Sequence, residues 1–209
     1  MLVRQLSHPT DSELEQAAAV LTAAFARSPD TFGHSMMGGD MSLDPLFQMA
    51  GLRAGAIGGE IWVAGFSPSE ICAVALWFGP GSDYLATEEQ RAAGWDDLVA
   101  NFPPELKQWW LEYFIPRAST WSESCLGKGT KTKGWHLHLL GTSPDHQHKG
   151  LAAALIQAVE SKANGLPMVL ETTNDGNVTF YKRRGFVVRG ETSIVGSGGE
   201  ITMTCMSKP

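Results

Sequence analysis

Ser143-Pro144-Asp145-His146-Gln147-His148-Lys149-Gly150-Leu151-Ala152 is the stretch on which the fold turns. It follows an apolar run over residues 135–142 that reads as a strand. It opens a segment, residues 146–163, in which Leu151, Leu155 and Val159 share one helical face. Pro144 ends the strand, and the helix is expected to begin inside the glycine-containing turn. Unpaired N–H groups and the positive end of the helix dipole make such a turn a site for anions. Gly150 and the small Ala152 let a phosphate come close to the backbone. Neither a Gly-Lys-Ser/Thr phosphate loop nor a Gly-x-Gly-x-x-Gly fingerprint is present. On these residues alone the turn is a pyrophosphate cradle, and an ordinary strand-to-helix turn fits them equally well.

Working outward, residues 168–172 read as a buried strand, 177–184 as a short helix, and 186–194 and 200–206 as two closing strands. Toward the N-terminus, residues 3–6 read as a strand. Thr10 followed by Glu13 is a capping-box signature, after which Leu14, Ala18, Leu21 and Phe25 recur at helical spacing until Ser28-Pro29. A second helix is expected over residues 45–56, stopped by Gly58-Gly59. Residues 60–66 and 70–78, rich in Ile, Val and Trp, read as a hairpin ended by Gly79-Pro80-Gly81. Residues 84–120 change character and are expected to add one or two acidic, aromatic-rich helices, closed by a flexible segment at 127–130. The order gives an α/β domain on a mixed sheet, one domain over residues 1–209.

The 209 residues carry 16 Lys and Arg against 22 Asp and Glu, a net charge of −6, which argues against a general nucleic-acid binder. Lys128, Lys131 and Lys133 are expected to form a solvated loop. Cys72, Cys125 and Cys205 are isolated and odd in number, without ligand spacing, so neither a disulfide framework nor a metal site is expected. The start is too short in apolar length for a signal peptide, and the longest apolar region, 61–78, is split by Ser67-Pro68-Ser69-Glu70. A soluble protein of the reducing cytoplasm, with no membrane partner, is the expectation; oligomeric state stays open.

Gln147-x-x-Gly150-x-Ala152 after a strand resembles motif A of the GNAT superfamily of acyl-CoA-dependent N-acyltransferases, Arg/Gln-x-x-Gly-x-Gly/Ala. Leu170-Glu171-Thr172-Thr173-Asn174 and the run from Asn177 through Phe180-Tyr181 to Gly185-Phe186 resemble its motif B. The match from Thr142 to the terminal Cys205-Met206-Ser207-Lys208-Pro209 is similar to the puromycin N-acetyltransferase branch. His136-Leu137-His138-Leu139-Leu140 resembles the His-Leu-His strand of arylalkylamine N-acetyltransferases. The resemblance implies a GNAT fold, a mixed central sheet flanked by helices, with the aromatic-rich helical insertion as an addition. It implies acetyl-CoA as co-substrate and no metal. Backbone groups of Leu140, Gly141 and Thr142 would pair with the pantetheine arm, and those of Gln147, His148, Lys149, Gly150, Leu151 and Ala152 would hold the pyrophosphate. Asn174 or Asn177 would bond further along the cofactor beside Phe180, and Tyr181 would point at the thioester. Thr142, His148 and Ala152 depart from the commoner aliphatic, small and Gly residues, tolerably where backbone makes the contacts.

Acyl transfer to an amine needs a proton removed from the ammonium and one given to the departing thiolate. By the resemblance Tyr181 is the acid, although a tyrosine here also suits the core. His136 and His138 alternate with leucines, so both leave one strand face, and imidazole titrates near ~6.5. Two core or surface histidines, or half of a metal site, fit the same pattern. Glu171 is the reserve base, or the partner of a nearby cation. Trp95, Trp109, Trp110, Phe114 and Trp121 in and beside the insertion are expected mainly to pack its helices, with one or two, and Phe25 and Phe32, lining an acceptor pocket. That favours a small-molecule amine; Asp96, Asp97, Glu105 and Glu112 leave a protein or peptide acceptor open. A non-catalytic acyl-CoA-binding module is the third reading.

Overall fold

Seven strands form one sheet in the order β1-β2-β3-β4-β5-β7-β6 in the computed structural model, which describes residues 1–27 and 31–209. The strands are β1 Leu2–Gln5, β2 Glu60–Gly65, β3 Ala73–Phe78, β4 Trp135–Thr142, β5 Met168–Thr172, β6 Val187–Gly196 and β7 Gly199–Lys208. All neighbours are antiparallel except β4 and β5. That pair is joined by the crossover helix Leu151–Ala163, the kind of connection a parallel pair requires. The expected stop of the first helix at Ser28-Pro29 lies outside the described residues.

Local sequence sets most of the helices. In α1 (Asp11–Ala26) the Thr10 hydroxyl accepts from the Glu13 N–H at 3.3 Å while the Glu13 carboxylate accepts from the Thr10 N–H at 3.0 Å. α2 is Phe32–Met36, and α3 runs from Asp44 to Gly58 with Gly59 as its cap. β3 is buried along its whole length because both of its faces are covered. Val74, Leu76 and Phe78 meet Leu14, Leu21 and Leu52 of α1 and α3. Ala73, Ala75 and Trp77 meet Leu151, Leu155 and Val159 on the other side.

The insertion consists of two longer helical stretches. α4 (Glu88–Gln90) continues through a π-helical turn, Arg91–Trp95, into α5 (Asp96–Ala100), with Gly94 at φ 147° in the turn. α6 (Pro104–Gln108) continues through a second π-helical turn, Trp109–Phe114, into α7 (Ile115–Leu126), past the expected limit at residue 120. α8 (Thr130–Lys133) starts within the segment expected to be flexible. Trp95, Phe102 and Trp110 are buried with Met37, Phe47 and Leu106 in a core of their own. Trp109 stacks on Phe114 at 5.0 Å and donates to the Val195 carbonyl at 2.7 Å, while Tyr113 Oη accepts from the Val195 N–H at 3.0 Å. The insertion thus covers the outer edge of β6, which would otherwise offer unpaired backbone groups. Trp110 also donates to the Met36 carbonyl at 2.8 Å. Trp110→Ala should destabilise the chain by about 3–5 kcal/mol, read as a fall in the urea midpoint, because it opens a cavity and orphans that carbonyl.

Among the described residues no helix is long and apolar enough to cross a membrane.

Candidate active site

β4 and β5 run together only over Trp135–Leu137 and Met168–Leu170. Beyond that point β4 continues to Thr142 and β5 to Thr172 without a ladder between them. The separation begins at a bulge: Leu76 of β3 pairs with Leu139 and Trp77 with Leu137, leaving His138 as the extra residue on β4. Leu137 and Leu140 pack with the Leu151–Ala163 helix, whereas Leu139 packs with α1 and α3. The plain alternation expected of this strand therefore holds from His136 to His138 and fails after it. A Cβ on Gly141 would press on Leu21 and Ala24 of α1, so glycine lets this stretch lie close to α1. Leu140, Gly141 and Thr142 thus sit on a strand edge whose backbone is not paired to β5.

Past this edge lies the glycine turn. The helix expected from residue 146 begins only at Leu151, as α9 (Leu151–Ala163). His148 at φ 61° and Gly150 at φ 83° occupy the left-handed region, which a right-handed helix cannot use. Gln147, His148, Lys149 and Gly150 therefore form an exposed loop, preceded by a 3₁₀ turn over Pro144–His146. Gly150 caps α9, and a Cβ there would meet nothing within 4 Å, so the space above the first N–H groups of Leu151 and Ala152 is open. Lys149 Nζ lies 5.7 Å from the Phe66 ring centre. Between α9 and α10 (Asp175–Lys182) is a groove of about 750 Å³ lined by His148, Gln157, Phe180, Arg183, Arg184 and Lys208 among others. It adjoins the loop and does not reach His136 or His138.

α10 starts at Asp175, two residues before its expected start, because Asn174 caps it: Asn174 Oδ1 accepts from the Asn177 N–H at 2.8 Å. Of the two asparagines expected along the cofactor, Asn174 is half-buried and Asn177 exposed. Tyr181 is 7% exposed and packs in the α9-side core between Phe180 and Phe186, with ring centres 5.2 and 5.7 Å away. Burial pushes its phenol above the usual range, with the nearby Arg184 cation pulling back, so the O–H stays intact. Arg184 lies over the Phe180 ring at 3.4 Å.

The two histidines differ in surroundings, His136 meeting polar groups and His138 aromatic ones. Their rings are 5.8 Å apart, on one side of β4. His136 is 4% exposed, and its Nε2 lies 2.9 Å from Glu171 Oε2. The other Glu171 oxygen accepts from Ser122 Oγ at 2.6 Å and meets Lys131 Nζ at 3.0 Å. Burial raises the Glu171 carboxyl, but His136, Lys131 and the hydrogen bonds outweigh it and hold the group well below the usual carboxylate range. With Glu171 ionised, the shared proton belongs on His136 Nε2, which leaves Nδ1 as the ring nitrogen turned away from the carboxylate. That Nδ1 is buried without a hydrogen-bond partner, 3.9 Å from Asp83 Oδ1. His138 stacks on Tyr84 at 3.9 Å and meets Phe78 edge-on.

Burial, aided by His136 and Lys131, pushes His138 well below its ordinary value. Below about pH 6.5 the unfolded chain takes up a proton that the folded one refuses. Stability should therefore decline as pH drops below that value, and His138→Gln should flatten the decline in urea titrations at stepped pH.

Lys131 is thus an ion-pair partner in the site, not part of a solvated loop. Asp83, Tyr84 and Ser122 are also neighbours that spacing does not reveal, since each arrives from a distant element. Of the aromatic residues expected at an acceptor pocket, Trp95 and Trp110 are buried in the insertion core, and Phe25 packs on the α1–α3 core. Phe32 and Phe114, half-buried and 5.7 Å apart, remain at the surface of their cluster.

Residues 119–208, the part holding β4 to β7, match the family model described as "Acetyltransferase (GNAT) domain". The architecture is the GNAT fold. The solved structure of a histone acetyltransferase HPA2 and related acetyltransferase from Corynebacterium glutamicum is 23% identical, with TM-score 0.61 over 99% of this chain and 94% of that one. The mosquito protein arylalkylamine N-acetyltransferase like 5b is 15% identical, with TM-score 0.61 over 99% and 98%. A ribosomal-protein-alanine N-acetyltransferase from Brucella melitensis is 13% identical, with TM-score 0.55 over 100% and 99%.

Proposed function

We propose that the chain, acting as one domain over residues 1–209, is an acetyl-CoA-dependent N-acetyltransferase for a primary amine of a small molecule. The observation that carries this is the parting of β4 from β5 at the His138 bulge, beside an open, glycine-capped helix start. An extended arm can pair with the free edge at Leu140, Gly141 and Thr142. The N–H groups from Gln147 to Ala152 can hold two phosphates, with Arg183, Arg184 and Lys208 of the adjoining groove, Asn177 and Phe180 further along the same molecule. A chain with net charge −6 can bind a polyanion in this way because backbone dipoles and a few local cations act at short range. His-x-His on the strand fits the arylalkylamine type of site, and the terminal motifs fit the puromycin branch.

Acetyl-CoA supplies the activated acetyl group and a thiolate leaving group. His136 Nδ1 takes the proton of the substrate ammonium, with Asp83 offering a negative neighbour to the cation. Glu171 holds the ring by Nε2 and stabilises the imidazolium, so its role is to orient and balance charge; an ionised carboxylate with so low a pKa is a poor base. His138, kept neutral, passes protons along the same face. Tyr181 gives its O–H proton to the sulfur as the C–S bond breaks and the C–N bond forms, and the proton that the nitrogen sheds on becoming an amide restores the phenol. Attack is direct, in a ternary complex. The three thiols, all unpaired, suit a reducing cytoplasm.

A panel of arylalkylamines, aliphatic amines, aminonucleosides and peptides, read by free CoA release, tests the reading. Turnover concentrated on small amines supports it. Turnover only of peptides would transfer the assignment to a protein acceptor, and acetyl-CoA binding without thiol release from any amine would leave a binding module.

A further inference from the structure

The foot of the β2–β3 hairpin and the 3₁₀ turn before the glycine loop meet at three side chains that the acyl-transfer reading does not use. Glu70, Cys72 and His146 bring one carboxylate oxygen, one sulfur and one ring nitrogen within 4.8 Å of one another. The framework beneath them is fixed by backbone bonds. The Cys72 N–H donates to the Ala64 carbonyl at 2.8 Å, and the Cys72 carbonyl accepts from the Ser143 N–H at 2.8 Å. His146 is held by its N–H to the Ser143 carbonyl at 2.8 Å and by its ring, 5.9 Å from that of Phe66. Glu70 is held because its Oε2 accepts from the Phe66 N–H at 2.9 Å.

Cys72 is 2% exposed, and its S–H meets the Glu70 carboxylate, so the thiol is satisfied. One observation points to a missing partner. His146 Nδ1 is buried and has no hydrogen-bond partner. A buried polar nitrogen left in that state is costly. We propose that Glu70, Cys72 and His146 form a binding site for one zinc-type divalent cation. The ion takes one ligand from each and keeps a fourth position for water.

Sulfur and imidazole select this class over magnesium or calcium, which prefer oxygen alone. On binding, the Cys72 S–H bond breaks, its proton leaves to buffer and a metal–sulfur bond forms. Thiolate and carboxylate together then balance the double positive charge. Because the thiol must give up its proton to the buffer, affinity should rise with pH. The consequence is mechanical: the ion ties the hairpin foot to the residue immediately before Gln147 and so holds the entry to the loop.

The full chain, stripped with chelator, should bind one equivalent of zinc in competition with a chromophoric chelator. Cobalt(II) should give the visible bands of a four-coordinate site and a thiolate-to-metal charge-transfer band. Cys72→Ser should abolish that band and lower zinc affinity by at least about 100-fold, more than loss of an outer neighbour costs. Cys125→Ser should leave both unchanged. Should Cys72→Ser fail to fold, His146→Gln, at a half-buried position, carries the same test through zinc affinity. Binding of less than one equivalent, a band that survives Cys72→Ser, or one that vanishes with Cys125→Ser would overturn the site.

Discussion

Tyr181→Phe should lower kcat by about 10²–10⁴-fold and leave acetyl-CoA affinity within a few-fold. The substitution keeps the ring that packs between Phe180 and Phe186 and removes only the hydroxyl. Thermal stability should therefore stay near that of the parent chain. The phenol is suited to the role because burial holds its proton in place across the working pH range. If Tyr181 were only a core aromatic, kcat would not move. His136→Ala and His138→Ala should each bring a loss of the same order, again in kcat more than in acetyl-CoA binding. The His136 loss should persist at high pH, where the amine is already largely neutral, only to the extent that the ring also orients the acceptor. Near-normal turnover in Tyr181→Phe and in the histidine variants would remove the acid and base assignment.

Glu171→Ala should act on both stability and turnover. Its carboxylate joins four elements: His136 of β4, Ser122 of α7, Lys131 of α8 and its own strand β5. Removing it leaves the buried His136 Nε2 without its partner and the Lys131 ammonium without its counter-charge. The expected cost is about 2–4 kcal/mol, toward the low side for a broken buried pair because Lys131 keeps a quarter of its side chain exposed. The pH dependence carries a sign. The folded pKa of Glu171 lies below its unfolded value of ~4.3, so its contribution is present above that pH and is lost as pH falls toward the folded pKa. Urea titrations at stepped pH should show wild type losing stability below about pH 4.3 and the variant losing less. In kinetics, kcat should fall while the KM for acetyl-CoA stays nearly constant, and Glu171→Gln, which keeps a hydrogen-bond acceptor for His136, should recover part of it. A variant as stable as the parent and equally active would reduce this cluster to surface decoration.

The parts of this architecture that local rules govern were readable in the chain. Thr10 and Glu13 cap α1, and the Ser-Pro-Ser turn and Gly-Pro-Gly stop bound the hairpin. Leu151, Leu155 and Val159 form the buried stripe of α9. What escaped depends on partners remote in sequence. The bulge at His138 arises from the register of β4 against β3, some sixty residues away, and no pattern within His136-Leu137-His138-Leu139-Leu140 encodes it. The late start of α9 required a histidine in the left-handed region, which few non-glycine residues adopt. Lys131 looked like a solvated charge because Glu171, its partner, is forty residues further on. Cys72 and His146 were each read alone for the same reason: the fold, not the spacing, brings them together. The tryptophans of the insertion resolve differently, since Trp95 and Trp110 complete its core and Trp109 covers the β6 edge, leaving Phe32 and Phe114 as the aromatic surface nearest to an unassigned role.

The central claim is direct acetyl transfer from acetyl-CoA to an amine within one complex, and product analysis by mass spectrometry tests it most directly. Wild-type chain, acetyl-CoA and an arylalkylamine should yield free CoA and the N-acetyl product in equal amounts, with no CoA released and no acetylated protein formed when the amine is omitted. CoA release without the amine, an acetyl group retained on the chain, or no amide at any amine concentration would contradict it.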